Sequence, residues 1–159
     1  MALIPARFID AVVAIGHSNE DGEFEATATG FLYGFLVRET NEASTYSIFL
    51  VTCRHVLSGT KHVLVRYNPL GQAQGEVVSY PTVFGNGRPI WVAPSDEMID
   101  IAVMPTGAAD LSRMGIEIAP YRSDSDGLAR DRMEEQGVFE GDEVLSLGFP
   151  MGLAGEYRN

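Results

Sequence analysis

Apolar residues in this chain come in short runs, each cut off by glycine, proline or a polar cluster, and their spacing is that of strands rather than helices. Residues 8–16 read as a first strand, stopped at Gly16. Residues 17–25 are polar and carry Asp21-Gly22, a turn signal between two strand-like runs. Residues 26–37 are rich in β-formers, and Gly30 and Gly34 inside them predict a bulge or a close approach of another backbone. After a polar connector, residues 47–57 are the most strongly patterned stretch. The continuous run Ile48-Phe49-Leu50-Val51 predicts a strand buried on both faces. It ends in Thr52-Cys53-Arg54, so His55 falls where strand gives way to turn.

Beyond it, residues 61–67 read as a strand closed by Asn68-Pro69 and Gly71. Residues 76–84 and 89–92 read as a pair around Gly85-Asn86-Gly87. Pro94 to Glu97 forms a turn, and Asp100 opens a strand in Ile99-Asp100-Ile101-Ala102-Val103. Six or seven strands are thus expected before residue 105, about what one Greek-key barrel needs. From Thr106 the texture changes. Residues 107–136 are polar and acidic, with 116–120 as the one compact apolar patch and a helical turn or two expected between Gly127 and Gln136. Residues 143–149 read as a further strand.

Composition alters this picture little. A length of 159 residues, 45% hydrophobic and 21% charged, suits one ordinary domain with a sizeable core. Charge excludes more. With 11 basic against 22 acidic residues the net charge is −11, which argues against nucleic acid and against an anionic membrane surface as partners. Cys53 stands alone, so no internal disulfide can form, which favours a reducing compartment. Pro5, Arg7 and Asp10 interrupt the apolar start, so neither a signal peptide nor a spanning helix is expected, and a cytoplasmic location follows.

Candidate chemistry centres on His55. An imidazole fixed at the end of a rigid strand is well placed as a general base, although a lone histidine is more often a core residue satisfied by a backbone carbonyl. Asp100 can be its orienting acid or merely a strand-initiating turn residue, and Asp96 competes for the same role. His17, His55 and His62 match no short metal-ligand spacing, so no metal and no cofactor are expected. Cys53, two residues before His55, reads as a small buried packing residue rather than a nucleophile.

Three short motifs in order change the weighting: Leu50-Val51-Thr52-x-x-His55-Val56, Asp100-Ile101-Ala102-Val103, and Gly148-x-Pro150-x-Gly152-Leu153. Together they resemble the trypsin/chymotrypsin-like serine peptidases, in particular the bacterial trypsin-like peptidase domain. Thr29-Gly30-Phe31 resembles, more loosely, the strand that packs beside the histidine strand in that family. The resemblance implies an all-β fold, a chymotrypsin-like Greek-key β-barrel over residues 1–106. It also implies an inter-barrel connection over 107–136 and the truncated opening of a second barrel over 137–159. His55 would be the general base and Asp100 the acid that holds it. The family presents its nucleophile in Gly-x-Ser-Gly, and no serine here has that context. Ser58-Gly59 lacks the leading glycine and follows the histidine too closely.

The expected function is therefore that of a serine endopeptidase acting on a polypeptide substrate. This chain would supply base and acid, and a separate or cleaved C-terminal half would supply nucleophile and oxyanion hole. Alone, the chain would be inactive and would expose the face meant for that half. The alternative is a non-catalytic β-barrel interaction module.

Overall fold

The computed structural model describes residues 4–68 and 75–149. Pairing alone makes the fold mostly β. Strand β1 (Val12–Ser18) runs antiparallel to β2 (Phe24–Glu39), which turns back into β3 (Ser44–Thr52). Strand β4 (His62–Tyr67) returns to the free side of β1, and β5 (Glu76–Pro81) pairs antiparallel with it. Strand β6 (Ala102–Pro105) adds to β3, giving the order β5-β4-β1-β2-β3-β6 in one curled antiparallel sheet. The stretch between β5 and β6 bridges these two outer strands. The Ile90 N–H donates to Thr82 O, and Val92 exchanges both backbone bonds with Val103.

Alternation along the strands puts one side of each into a shared core. Val13, Ile15, Leu32, Leu50, Ala102 and Met104 come from four strands and are at most 1% exposed. Burying a side chain of this size is worth about 1.5–3 kcal/mol. Two glycines sit where a side chain would collide. A Cβ on Gly30 would lie 2.7 Å from Leu50 Cδ1 and 2.9 Å from Ile15 Cδ1, ahead of the Val51 carbonyl oxygen at 3.1 Å, so the crowding comes first from core side chains rather than from the neighbouring backbone expected there. Gly16 does not stop β1 as expected. It sits at a bulge after Ile15, where a Cβ would come within 1.9 Å of the Glu25 carbonyl oxygen, and the strand runs on to Ser18.

Four further expectations need correcting. The first apolar run begins as a short helix, α1 (Ala6–Asp10), because Pro5 fits the position before a first turn and strand pairing starts only at Val12. The run Ile48–Val51 is not buried on both faces. Leu50 is enclosed, whereas Phe49 and Val51 are half-exposed. The polar stretch after β6 holds a helix that hydropathy did not announce, α3 (Ala108–Arg113), which drops Leu111 onto the core; Ile116 follows it there. Residues 143–149 form no strand. Val144 and Leu145 are 90% and 74% exposed and find no partner ladder among the described residues.

Instead, Phe149 packs against Val12, Ala14 and Ala26 on the far side of β1–β2, and its N–H donates to Thr29 Oγ1 at 2.8 Å. The helical turn expected within 127–136 is α4 (Arg130–Met133). The motif at 148–153 lies partly outside the described residues.

Besides Leu111 and Ile116, the connection is fastened to the edge of the sheet around residues 121–126. Strand β7 (Tyr121–Arg122) runs parallel to β2 at Tyr33 and Gly34, where β1 has already ended. Just beyond it the Asp126 carboxylate, 2% exposed, accepts two bonds from the Arg7 guanidinium at 2.8 and 3.2 Å and one from the Arg122 N–H at 2.9 Å. Burial raises its pKa, but the Arg122 N–H and the Arg7 guanidinium outweigh that and hold it below the ordinary carboxylate range. No helix of the described residues is long and apolar enough to cross a membrane.

Candidate functional site

The register of β3 and β6 explains why His55 and Asp100 meet. Thr52, the last residue of β3, pairs with Ala102, the first of β6. In an antiparallel pair, the chain leaving one strand and the chain entering the other emerge at the same end of the sheet. His55 lies three residues beyond Thr52 and Asp100 two before Ala102. His55 is therefore not on the strand but on a one-turn helix, α2 (Arg54–Leu57), anchored by the buried Leu57. Asp100 likewise precedes its strand rather than opening it.

The contact is specific. His55 Nδ1 lies 2.6 Å from Asp100 Oδ2, and the His55 backbone N–H donates to Asp100 Oδ1 at 3.0 Å. Free N–H groups at the start of α2 thus find their acceptor in the same carboxylate that holds the ring. The His55 N–H, then the His55 ring, lower the Asp100 pKa against a small opposing effect of burial, and the Arg54 N–H adds to the lowering. A carboxylate accepting at Nδ1 makes that nitrogen the donor, so Nε2 is left as an acceptor. Among the described residues Nε2 has no hydrogen-bond partner, and the side chain is 72% exposed.

Asp96 does not compete. Its carboxylate accepts from the Met98 N–H at 2.9 Å, closing the turn ahead of Asp100. Arg54 has a part that no feature of the sequence signalled. Its guanidinium reaches across to the carbonyls of Pro94 and Asp96, tying the Asp100-bearing loop to the helix that carries His55. Its Nε is buried without a partner among the described residues.

Cys53 corrects an expectation. It is exposed rather than a packing residue, and its thiol lies with His55 and Asp100 in a group in which one ligand atom from each residue is within 4.8 Å of the other two. Local desolvation, then the charge of Asp100 and a hydrogen bond to it, push the Cys53 pKa up, which keeps the thiol protonated and a poor nucleophile at neutral pH. His17 and His62 join no such group among the described residues. His17 lies 3.8 Å from Glu25 in the first hairpin, and His62 begins β4. The Ser58 hydroxyl donates to the His55 carbonyl at 3.3 Å and so turns to the backbone.

Next to this site the outer face of β2, β3 and β6 is apolar. Phe31, Tyr33, Phe35, Phe49, Val51 and Val103 line an open hollow of about 490 Å³. Val51 and Val103 are themselves a register pair, one step along from Thr52 and Ala102, so the hollow reaches to within one pair of the strand ends that lead to the site.

Comparison with family models, curated proteins and solved structures gives no match. What the arrangement can do chemically therefore rests on its own geometry. It can accept a proton at Nε2 and stabilise the resulting imidazolium through Asp100.

Proposed function

We propose that this chain carries the base and the orienting acid of a serine endopeptidase of the trypsin type. The observation that carries the reading is the His55–Asp100 pair, with Nδ1 held at 2.6 Å and Nε2 turned outward. In this mechanism Nε2 removes the proton of an attacking serine hydroxyl and later returns it to the leaving amine, while Asp100 fixes the ring and favours its charged form. The strand order supports the same reading. Placing β4 beside β1 in the sequence β4-β1-β2-β3 is the arrangement of a Greek key, the pattern of the chymotrypsin-like first barrel. The apolar hollow beside the site supports it as well, since an exposed patch of this kind marks a contact surface.

On this reading the nucleophile and the oxyanion donors come from polypeptide outside the described residues, and it is that second half which reads the substrate. Polypeptide is the substrate class, the site is a cytoplasmic one, and no cofactor takes part.

The experiment is labelling of the native assembly, isolated through a tag on this chain, with a serine-reactive phosphonate. The expected result is a labelled serine in the polypeptide that accompanies or continues this chain, with labelling lost in His55→Ala. An isolated assembly that takes no label, or one whose labelling survives His55→Ala, overturns the proposal in favour of a non-catalytic interaction module.

A further inference from the structure

Cys53, His55 and Asp100 present a thiol, an imidazole and a carboxylate from three positions that converge at one end of β3 and β6, with one ligand atom from each within 4.8 Å of the other two. We infer that these three side chains form a binding site for a thiophilic divalent cation of the zinc class, and that its occupation switches off the proton-accepting nitrogen of His55. The second half of this inference rests on the reading of His55 as a base; the first half does not.

The donor set selects the metal. Thiolate and imidazole favour zinc and its neighbours over magnesium or calcium, which take oxygen ligands, and three protein ligands with a fourth position left to water is a common open zinc arrangement. The geometry is within reach. Bond lengths of 2.0–2.3 Å place the ligand atoms of a tetrahedral site about 3.3–3.8 Å apart. The thiol must therefore draw in by up to about 1.5 Å from the 4.8 Å limit, while His55 Nδ1 and Asp100 Oδ2 must open by about 0.7 Å or more from 2.6 Å, exchanging their hydrogen bond for bonds to the metal. His55 and Asp100 are 72% and 50% exposed, and Cys53 is exposed too, so these shifts disturb no core packing.

Protons balance simply. The Cys53 thiol gives up its proton to solvent when sulfur binds the metal. Neutral His55 binds through Nδ1, so its single ring proton moves to Nε2 and none is lost. Nε2 then carries a hydrogen and can no longer accept one. The metal thus occupies the place of the Nδ1 proton and reverses the tautomer that Asp100 selects in its absence.

The test titrates the full chain with cobalt(II) and zinc(II) and follows His55 by nitrogen NMR. One equivalent of cobalt is expected to give a sulfur-to-metal charge-transfer band with tetrahedral ligand-field absorption. Zinc is expected to displace the cobalt and to leave His55 protonated at Nε2. Cys53→Ser should abolish the charge-transfer band, and Cys53→Ser, His55→Gln and Asp100→Asn should each weaken binding by at least about tenfold, while His17→Gln and His62→Gln change nothing. A cobalt spectrum without the sulfur band, binding that survives Cys53→Ser unchanged, or binding lost in His17→Gln overturns the site. A zinc-loaded chain with His55 still protonated at Nδ1 overturns the switch. These readouts need no nucleophile, so they stand apart from the phosphonate experiment: absence of labelling in metal-free assembly would count against the peptidase reading and leave the metal site intact.

Discussion

Strands β2, β3 and β6 have two apolar faces that meet different fates. On the inner side Leu32, Leu50, Ala102 and Met104 are closed off from solvent. On the outer side Phe31, Phe35, Phe49, Val51 and Val103 alternate with them along the same strands and line an open hollow. Both faces are apolar, aliphatic inside and largely aromatic outside, yet only one is a core. Hydrophobicity along a strand therefore reports that a face is built for contact, while coverage depends on what the rest of the molecule brings to it.

The sharpest way to break this comparison is to empty both faces. Leu50→Ala is expected to cost about 2–5 kcal/mol in denaturant unfolding, because it leaves a cavity among residues that cannot close in. Phe35→Ser, at a residue 54% exposed, is expected to change stability by less than about 1 kcal/mol in the same measurement. Equal costs at the two positions would mean that the outer face is covered in solution.

A smaller effect is expected where the connection is clasped to the sheet. Asp126→Asn should cost about 1–3 kcal/mol, less than the loss of a fully buried pair because Arg7 and Arg122 remain partly in water. The same group gives a pH dependence. Its folded pKa is depressed, so its contribution is present above the unfolded carboxylate value of about 3.9 and is lost as pH falls through the lower folded value. Acid unfolding curves of wild type and Asp126→Asn should converge at the acid end.

Arg54→Ala comes next. Losing its bonds to the Pro94 and Asp96 carbonyls should cost about 1 kcal/mol and broaden the His55 Nδ1 proton resonance, since the Asp100 loop is no longer held. The smallest change is expected for Asp100→Asn, on an exposed group. Stability near neutrality should barely move, while the Nδ1–H resonance sharp in the wild type should be lost. In the wild type that resonance should persist until pH falls through the depressed Asp100 pKa.

Much of the sheet was legible in the order of residues. β-branched and aromatic runs marked β2, β3 and β4, and Asp21-Gly22 marked the first hairpin, because these signals are local. Residues 143–149 have the same alternation and fail to form a strand, since pairing requires a neighbour that no local pattern supplies. Leu111 in α3 was hidden within a polar stretch because a six-residue helix needs only one or two apolar contacts to dock.

The site divides in the same way. His55 and Asp100 stood out through their surrounding motifs, and the β3–β6 register brings them together. The thiol of Cys53 beside Asp100 and the reach of Arg54 to residues 94 and 96 are products of that register combined with a one-turn helix. Neither follows from spacing along the chain.

That register also sets when the pair comes into being. β1, β2 and β3 are consecutive and joined by short turns, so their pairing closes small loops, whereas β6 must find β3 across about fifty intervening residues. His55 belongs to the early part of this folding order and Asp100 to the late part. Pulsed hydrogen exchange during refolding should accordingly protect amides in β2 and β3 before that of Val103, with the His–Asp contact appearing as the chain completes its tertiary structure.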